Sequence, residues 1–123
     1  MRLRRIEFVD REAEPSEIER FAKFLRNYVW KTDKGRVVVM PIVSERGDDI
    51  YWQARIYKKG VAGYLAFNRD NAKMIDLPDE DYEIIQQTIY LLESEFRALP
   101  TVEKAKIIDL LRGELKIREV TTP

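Results

Sequence analysis

The chain has 123 residues, in which 22 lysines and arginines balance 22 aspartates and glutamates, and it contains neither cysteine nor histidine. This length suits one domain with its own core, so we expect residues 1–123 to form a single domain. Without cysteine or histidine, disulfides, thiolate metal sites and the commonest general base are excluded. No apolar run approaches the roughly 18–20 residues that span a bilayer, and no signal-peptide core follows the first charges. We therefore expect a cytoplasmic protein without a membrane partner.

Charge is distributed unevenly along the chain. Residues 1–40 hold ten basic and seven acidic residues, 41–77 hold six and five, and 78–123 hold six and ten. A polyanion should therefore prefer the first two thirds of the chain, although the zero net charge argues against a purely electrostatic nucleic-acid binder. Charged residues make up 36% of the chain, and such a composition suits a thermophilic source.

The first part of the chain predicts a strand followed by a helix. Residues 2–9 alternate imperfectly between apolar and charged side chains, which favours a strand. Ser16 as N-cap, with Glu19 three residues later, forms a capping box. We expect this helix to end near Thr32, where Thr-Asp-Lys-Gly predicts a turn. The apolar stripe of the helix would consist of Ile18, Phe21, Phe24 or Leu25, Tyr28 and Val29.

The next two segments predict neighbouring strands. Residues 36–43 are apolar after Arg36 and rich in β-branched side chains, which favours an interior strand, although Pro41 lacks the N–H that a ladder needs. After a turn at 45–49, residues 50–57 alternate between two faces. The side chains expected in the core are Ile50, Trp52, Ala54 and Ile56. The opposite face carries Tyr51, Gln53, Arg55 and Tyr57.

A hairpin should follow this alternating strand. If Lys59 and Gly60 form a two-residue loop, Lys58 lies opposite Val61 and the register of the remaining pairs is fixed. The expected pairs on the core face are Ile56 with Gly63, Ala54 with Leu65, and Trp52 with Phe67. Those on the other face are Tyr57 with Ala62, Arg55 with Tyr64, Gln53 with Ala66, and Tyr51 with Asn68.

The last part of the chain predicts a short strand at 72–77 and two helices. The first helix begins at Pro78-Asp79, with Asp79 as cap and Tyr82, Ile85, Ile89, Leu92 and Phe96 as its apolar stripe. The second begins at Pro100-Thr101, with Val102, Ala105, Ile108, Leu111 and Leu115 facing inward. The fold class is therefore α+β, an antiparallel sheet of four to five strands with three helices in the order β-α-β-β-β-β-α-α.

The chain offers little catalytic chemistry. Its scattered glycines form no phosphate loop, and Ser44 lies in no nucleophile elbow. Asp79, Glu80, Asp81 and Glu83 are carboxylates that magnesium could use, but a helix N-terminus favours negative charge in any case. We therefore predict no enzyme activity, no cofactor, no metal site and no catalytic residue.

The tyrosine-bearing face is the best candidate for a binding site. Aromatic rings mixed with hydrogen-bond donors suit unstacked bases. The predicted nucleic-acid-binding residues are Tyr51, Gln53, Arg55, Tyr57, Lys58, Lys59, Tyr64, Asn68, Arg69 and Lys73. Half-exposed tyrosines are also common on sheets for stability alone, and a helix or a second subunit could cover this face. Trp30 could lie in the core, in a lid or in a contact.

The run from Gly35 to Phe96 resembles the ββββα unit of single-strand binders of the PC4, PUR and Whirly type. The resemblance lies in Lys58-Lys59-Gly60 leading into Tyr64-Leu65-Ala66-Phe67, and in Ile75-Asp76-Leu77-Pro78 before the helix with Tyr82. The helix Phe21 to Arg26 is also similar to the archaeal ThermoDBP-type DNA-binding proteins. These resemblances imply a curved sheet that binds single-stranded DNA or RNA, and a dimeric or repeated assembly. The residues that they carry over are Tyr51, Arg55, Tyr57 and Tyr64, with Lys58 and Lys59 at the hairpin.

Our leading hypothesis is thus a non-enzymatic protein that binds single-stranded DNA or RNA. The alternative is a small protein-interaction or regulatory module, of viral or archaeal type, without nucleic-acid binding. The C-terminal helix carries an apolar surface wider than one contact requires, which either covers the sheet or forms a homodimer seam. We expect a homodimer through that helix.

Overall fold

The computed structural model describes residues 15–113 and confirms the α+β class with an antiparallel sheet. Within these residues four strands pair in the order β1-β2-β3-β4, each beside its neighbour in sequence. The strand predicted at 2–9 and Leu115, which was predicted to face inward, lie outside the described residues. The elements are α1 Pro15–Arg20, α2 Ala22–Leu25, β1 Tyr28–Thr32, β2 Gly35–Val43, β3 Ile50–Lys58, β4 Leu65–Ala66, α3 Arg69–Met74, α4 Asp79–Arg97 and α5 Thr101–Leu111.

The prediction of one helix up to Thr32 is wrong, because the chain becomes extended at Arg26 (φ −99°, ψ 162°) and enters β1. Tyr28, Val29 and Trp30 suit a strand because aromatic and β-branched side chains pack well on a pleated surface. Ser16 is likewise no N-cap, since it lies inside α1. The predicted turn is present, and it joins β1 to β2.

That turn is held by one hydroxyl group. The backbone N–H groups of Lys34 and Gly35 donate to Oγ1 of Thr32 at 3.2 and 3.1 Å, and the Thr32 hydroxyl donates to the Gly35 carbonyl oxygen. A threonine side chain that satisfies turn amides in this way favours a tight reversal of the chain. The turn fixes the β1–β2 register, which pairs Trp30 with Val37.

The prediction that β2 is an interior strand is confirmed, since it pairs with both β1 and β3. Pro41 is accommodated because β1 reaches only as far as Val39. Opposite Pro41, the N–H of Trp52 donates to Oε2 of Glu93 from α4 at 3.2 Å rather than to β2. The Pro41 nitrogen accordingly faces the side beyond β1, where no strand within residues 15–113 needs an N–H donor.

The alternation predicted for β3 is confirmed, but the register of the following hairpin is wrong by two residues. Arg55 pairs with Ala66 and Ile56 with Leu65, rather than with Tyr64 and Gly63. The loop is longer than two residues, and Gly60 and Gly63 both have positive φ angles (81° and 78°). Because side chains alternate with period two, a shift of two residues keeps Leu65 and Ala66 on their predicted faces.

The short strand predicted at 72–77 is also wrong, because residues Arg69–Met74 form α3. Asn68 caps this helix through its side-chain oxygen, which accepts a hydrogen bond from the Asn71 N–H at 2.9 Å. An asparagine in this position satisfies one of the free amides of the first turn. Ala72 is buried in the core, so α3 packs on the side of the sheet that the helices cover.

The core lies between the helices and one face of the sheet. Trp52 packs against Phe24 of α2 and Phe96 of α4, with ring centroids 6.1 and 5.9 Å apart. Such tilted and edge-on ring contacts contribute beyond simple burial of area. The stripe predicted for α4 is confirmed: Ile85, Leu92 and Phe96 are buried, and Tyr82 and Ile89 pack against them.

The inward face predicted for α5 needs a correction. Val102 is 65% exposed and Ala105 is exposed, whereas Ile107 and Ile108 are buried. Only the second half of α5 meets the core, so the first half turns its apolar residues outward. Asp79 is the first residue of α4 rather than its cap, which is Pro78. Between residues 15 and 113, no helix has both the length and the apolar character that a membrane span requires.

Candidate functional site

The face of the sheet opposite the core forms the candidate site, and we call it the outer face. The register pairs Val29 with Val38 and Val38 with Arg55, so these side chains lie on one side of the sheet. Trp30 belongs to the other side, where it packs half-buried against the core. The outer face consists of Val29, Lys31, Arg36, Val38, Met40, Ile42, Tyr51, Gln53, Arg55, Tyr57 and Ala66.

Two arginines and two tyrosines form a continuous cluster on the outer face. The Arg36 guanidinium carbon lies 4.4 Å from the centre of the Tyr57 ring, and that of Arg55 lies 4.1 Å from the Tyr64 ring. The two rings are tilted at 47° with centroids 5.7 Å apart. Each cation thus interacts with the π-electrons of a ring. We call these four residues the tyrosine–arginine cluster.

The cluster is open to solvent. Tyr64 is 48% exposed and Tyr51, further along β3, is 43% exposed. Tyr57 and Arg55 are half-buried. Gln53 accepts a hydrogen bond at 2.7 Å from Nε of Arg55, which fixes the arginine side chain beside Tyr64.

A groove of about 1160 Å³ runs beside the cluster, between the β1–β2 turn and the β3–β4 loop. The two turns are tied together by a 2.7 Å hydrogen bond from the Lys59 N–H to the Lys34 carbonyl oxygen. Four cations and one carboxylate line the groove, so it has a positive potential. These charged residues are Lys31, Arg36, Lys58, Lys59 and Asp33.

The cations of this region differ from most of the other cations in the part of the chain that the structure describes. Among residues 15–113, Lys31, Arg36, Arg55, Lys58 and Lys59 form no ion pair with a carboxylate. Elsewhere the cations are mostly paired: Arg20 with Glu103, Lys23 with Glu95, Lys34 with Asp76, Arg46 with Asp48, Arg69 with Asp79 and Arg97 with Glu93. Arg26, Lys73 and Lys104 form no such ion pair either, but they are scattered over separate elements.

One ion pair lies at the border of the groove. Nζ of Lys34 donates to a carboxylate oxygen of Asp76, the residue that follows Ile75 at the end of α3. This hydrogen bond and the attraction between the charges lower the pKa of Asp76 and raise the pKa of Lys34. Both groups are exposed, so the pair contributes little to stability. Lys34 is consequently less free than its neighbours to meet a ligand.

Three of the predicted site residues are engaged away from the outer face. Asn68 does not pair with Tyr51, because β4 ends at Ala66 and Asn68 caps α3. Arg69 lies 3.3 Å from Asp79 and over the ring of Tyr82, both on α4. Lys73 is exposed on α3. The other seven predicted residues lie on the outer face or at its hairpin loop.

Sequence reasoning missed Val29, Lys31 and Arg36 as members of this face. The sequence pattern places Val29 and Lys31 in a helix and at its end, and Arg36 at the start of a strand expected in the interior of the sheet. The alternation of Arg36 with the apolar Val37 was a usable signal. That signal alone does not place Arg36 on the outer face. The β2–β3 register does, because it places Arg36 opposite Tyr57.

The acidic residues at the start of α4 are explained by the helix itself. Asp79, Glu80 and Asp81 occupy its first turn, where the helix dipole favours negative charge, and Asp79 also pairs with Arg69. In the part of the chain that the structure describes, no three carboxylates lie close enough together to hold a metal ion.

Comparison of the chain with protein-family models, with curated proteins and with solved structures gives no match. Any statement about function must therefore come from the outer face itself.

Proposed function

We propose that the protein binds single-stranded nucleic acid on the outer face and in the adjoining groove. The observation that carries this proposal is the combination of exposed tyrosines with five cations that form no ion pair within residues 15–113, on a surface whose strand residues include no carboxylate. The net charge of the chain is zero, so this local excess of positive charge depends on the fold. A polyanion with flat bases is the ligand that such a surface fits best.

In the proposed complex the two parts of the site have different tasks. Bases stack on the exposed rings of Tyr51 and Tyr64, where each stacked base contributes about 1–3 kcal/mol. Lys31, Lys58 and Lys59 contact phosphates along the groove. A duplex would keep its bases stacked on each other and unavailable to the rings, so single strands should bind better.

The modest number of cations sets the salt dependence. For single strands the logarithm of the binding constant falls with that of salt concentration by about 0.7 for each phosphate neutralised. With at most five cations in contact, the slope should be shallow compared with that of strongly basic nucleic-acid-binding proteins. Stacking, which salt screens little, should account for a large share of the affinity.

Fluorescence anisotropy with labelled oligonucleotides tests the proposal directly. We expect the wild type to bind single strands better than duplex, and the Tyr51→Ala/Tyr64→Ala double variant to bind at least about tenfold more weakly, since the two exposed stacking rings are removed. Tyr90→Ala is the matched control, because Tyr90 is 64% exposed on α4, away from the sheet. Absence of binding at low salt, or equal binding by the double variant and the wild type, would refute the proposal.

A second candidate is a protein partner with an acidic surface. Tyrosine and arginine are frequent anchors of protein interfaces, and the apolar Val29 is exposed beside Lys31. A competition experiment tests whether the two candidate ligands share one site. An unlabelled oligonucleotide should displace an acidic protein partner from the outer face only if both ligands bind there. A homodimer through the C-terminal helix stays a prediction, which light scattering in solution can test.

The resemblance to ββββα single-strand binders also stays a prediction. The four strands run in order and are followed by helices α3 and α4, an arrangement compatible with that unit. The four observed strands differ from the four expected, because β1 precedes Gly35 and residues 72–77 contribute no strand.

A further inference from the structure

The polar groups at the centre of the outer face have a specific donor pattern. The Arg55 guanidinium can only donate hydrogen bonds, so the atom of Gln53 that faces its Nε must be the amide oxygen. The Gln53 NH₂ group therefore points away from Arg55, with two N–H donors. The terminal nitrogens of Arg55 provide further donors along the edge of its plane.

No neighbouring strand position supplies a strong acceptor to this pair. Gln53 lies opposite Met40 on β2, and Arg55 lies between Val38 and Ala66. Within residues 15–113 neither Gln53 nor Arg55 contacts a carboxylate. Both residues are half-buried, which strengthens hydrogen bonds that form there. The centre of the face thus presents donors to a ligand that supplies acceptors.

Unpaired bases differ in the hydrogen-bonding groups that they can offer. Guanine offers two adjacent acceptors, O6 and N7, whereas adenine offers N7 beside the donor N6–H₂. A fixed arginine that donates to O6 and N7 together is the commonest specific contact to guanine. Resting on the proposed function, we propose that Gln53 and Arg55 select guanine over adenine in single strands bound to the outer face.

The two purines provide a controlled comparison, because their stacking surfaces are nearly equal. Anisotropy would compare an all-adenine dodecamer with dodecamers that carry guanine, inosine or 7-deazaguanine at every third position. We expect guanine to improve binding by at least about fivefold over adenine. Inosine keeps O6 and N7 and should match guanine, whereas 7-deazaguanine lacks N7 and should lose most of the preference.

Two variants test which residues cause the preference. Gln53→Glu replaces the outward donors with acceptors, and Arg55→Lys keeps the charge but loses the planar, two-pronged donor geometry. Both should bring the guanine-to-adenine affinity ratio close to one. Gln87→Glu is the matched control, since Gln87 is exposed on α4 and its change adds the same charge elsewhere.

The outcomes separate this inference from the proposed function. If all dodecamers bind wild type equally well, guanine selection is wrong and single-strand binding stands. A guanine preference that persists in Gln53→Glu and Arg55→Lys would also overturn the assignment to these residues. If no dodecamer binds, the proposed function fails and the inference fails with it.

Discussion

The two faces of the sheet are built from the same strands but differ in burial and chemistry. On β3, Ile50, Trp52, Ala54 and Ile56 are buried under the helices, while the residues between them face outward. The covered face excludes water and stabilises the fold. The outer face holds exposed rings and cations that form no ion pair within residues 15–113, so its side chains should contribute less to stability. Substitutions on the covered face should therefore lower the stability of the fold, whereas substitutions on the outer face should mainly lower the affinity for a ligand.

The largest effect should come from the covered face. Phe96 is 1% exposed and touches both Phe24 and Trp52, so Phe96→Ala removes a large ring from a packed core. We expect a loss of about 3–5 kcal/mol in the free energy of unfolding, measured by urea denaturation. A loss as small as that of an outer-face variant would contradict the division between the faces.

A smaller effect should come from the helix cap at Asn68. Asn68→Ala leaves an amide of the first turn of α3 without its partner, which typically costs about 1 kcal/mol. Denaturation curves should show this loss, while the affinity for single strands should stay unchanged. If instead affinity falls and stability does not, Asn68 belongs to the binding site as the sequence suggested.

Single changes in the tyrosine–arginine cluster should affect stability still less. Tyr64→Ala removes an exposed ring and its interaction with Arg55, and a cation–π interaction at an exposed site is worth about 0.5–1 kcal/mol. We expect a loss of stability no greater than this, together with a clear loss of affinity. Equal and large losses in both would mean that the ring mainly serves the fold.

The charges should change binding while leaving stability almost unaffected. Lys58→Ala/Lys59→Ala should weaken binding and reduce the salt slope by about 0.7 for each phosphate that the variant no longer neutralises. Lys73→Ala is the matched control, because Lys73 is an exposed lysine on α3. A change in the salt slope of Lys73→Ala would instead place Lys73 in the binding site.

The smallest effect concerns the pair of Lys34 and Asp76 at the border of the groove. Hydrogen bonding lowers the pKa of Asp76. The contribution of the Asp76 carboxylate to stability is therefore present at pH values above the ordinary carboxyl pKa, and it is lost as the pH falls through the lowered pKa. The raised pKa of Lys34 has the converse effect, a contribution that is lost at high pH. An NMR titration should show the pKa of Asp76 returning toward its ordinary value in Lys34→Ala; an unchanged pKa would contradict the pairing.

The fold was predictable from the sequence where the pattern was long and local. The alternation of β3 and the apolar stripe of α4 each repeat several times within one element, so each was assigned correctly. Tyr28, Val29 and Trp30 fit both a helical stripe and a strand, and only pairing with β2 decides between them. In the same way α3 is six residues long, too short for a helical period to become visible.

The candidate site was predictable only in part for the same reason. Tyr51, Gln53, Arg55 and Tyr57 follow from the alternation of a single strand. Tyr64 was placed on the correct face although its partner was wrong, because the register shift was even. Arg36 comes from another strand, and its position over Tyr57 depends on a pairing across the Ser44–Asp49 connection that no local pattern specifies.

The hydrogen bond from the Trp52 N–H to Glu93 has a consequence for self-association. β4 pairs with only part of β3. Around Trp52, the edge of β3 is a place where a strand of another molecule could add to the sheet and begin a fibrous aggregate. A carboxylate of α4 already occupies the amide that such a strand would use. An added strand would have to break this hydrogen bond and displace the carboxylate, so Glu93 disfavours polymerisation at this position.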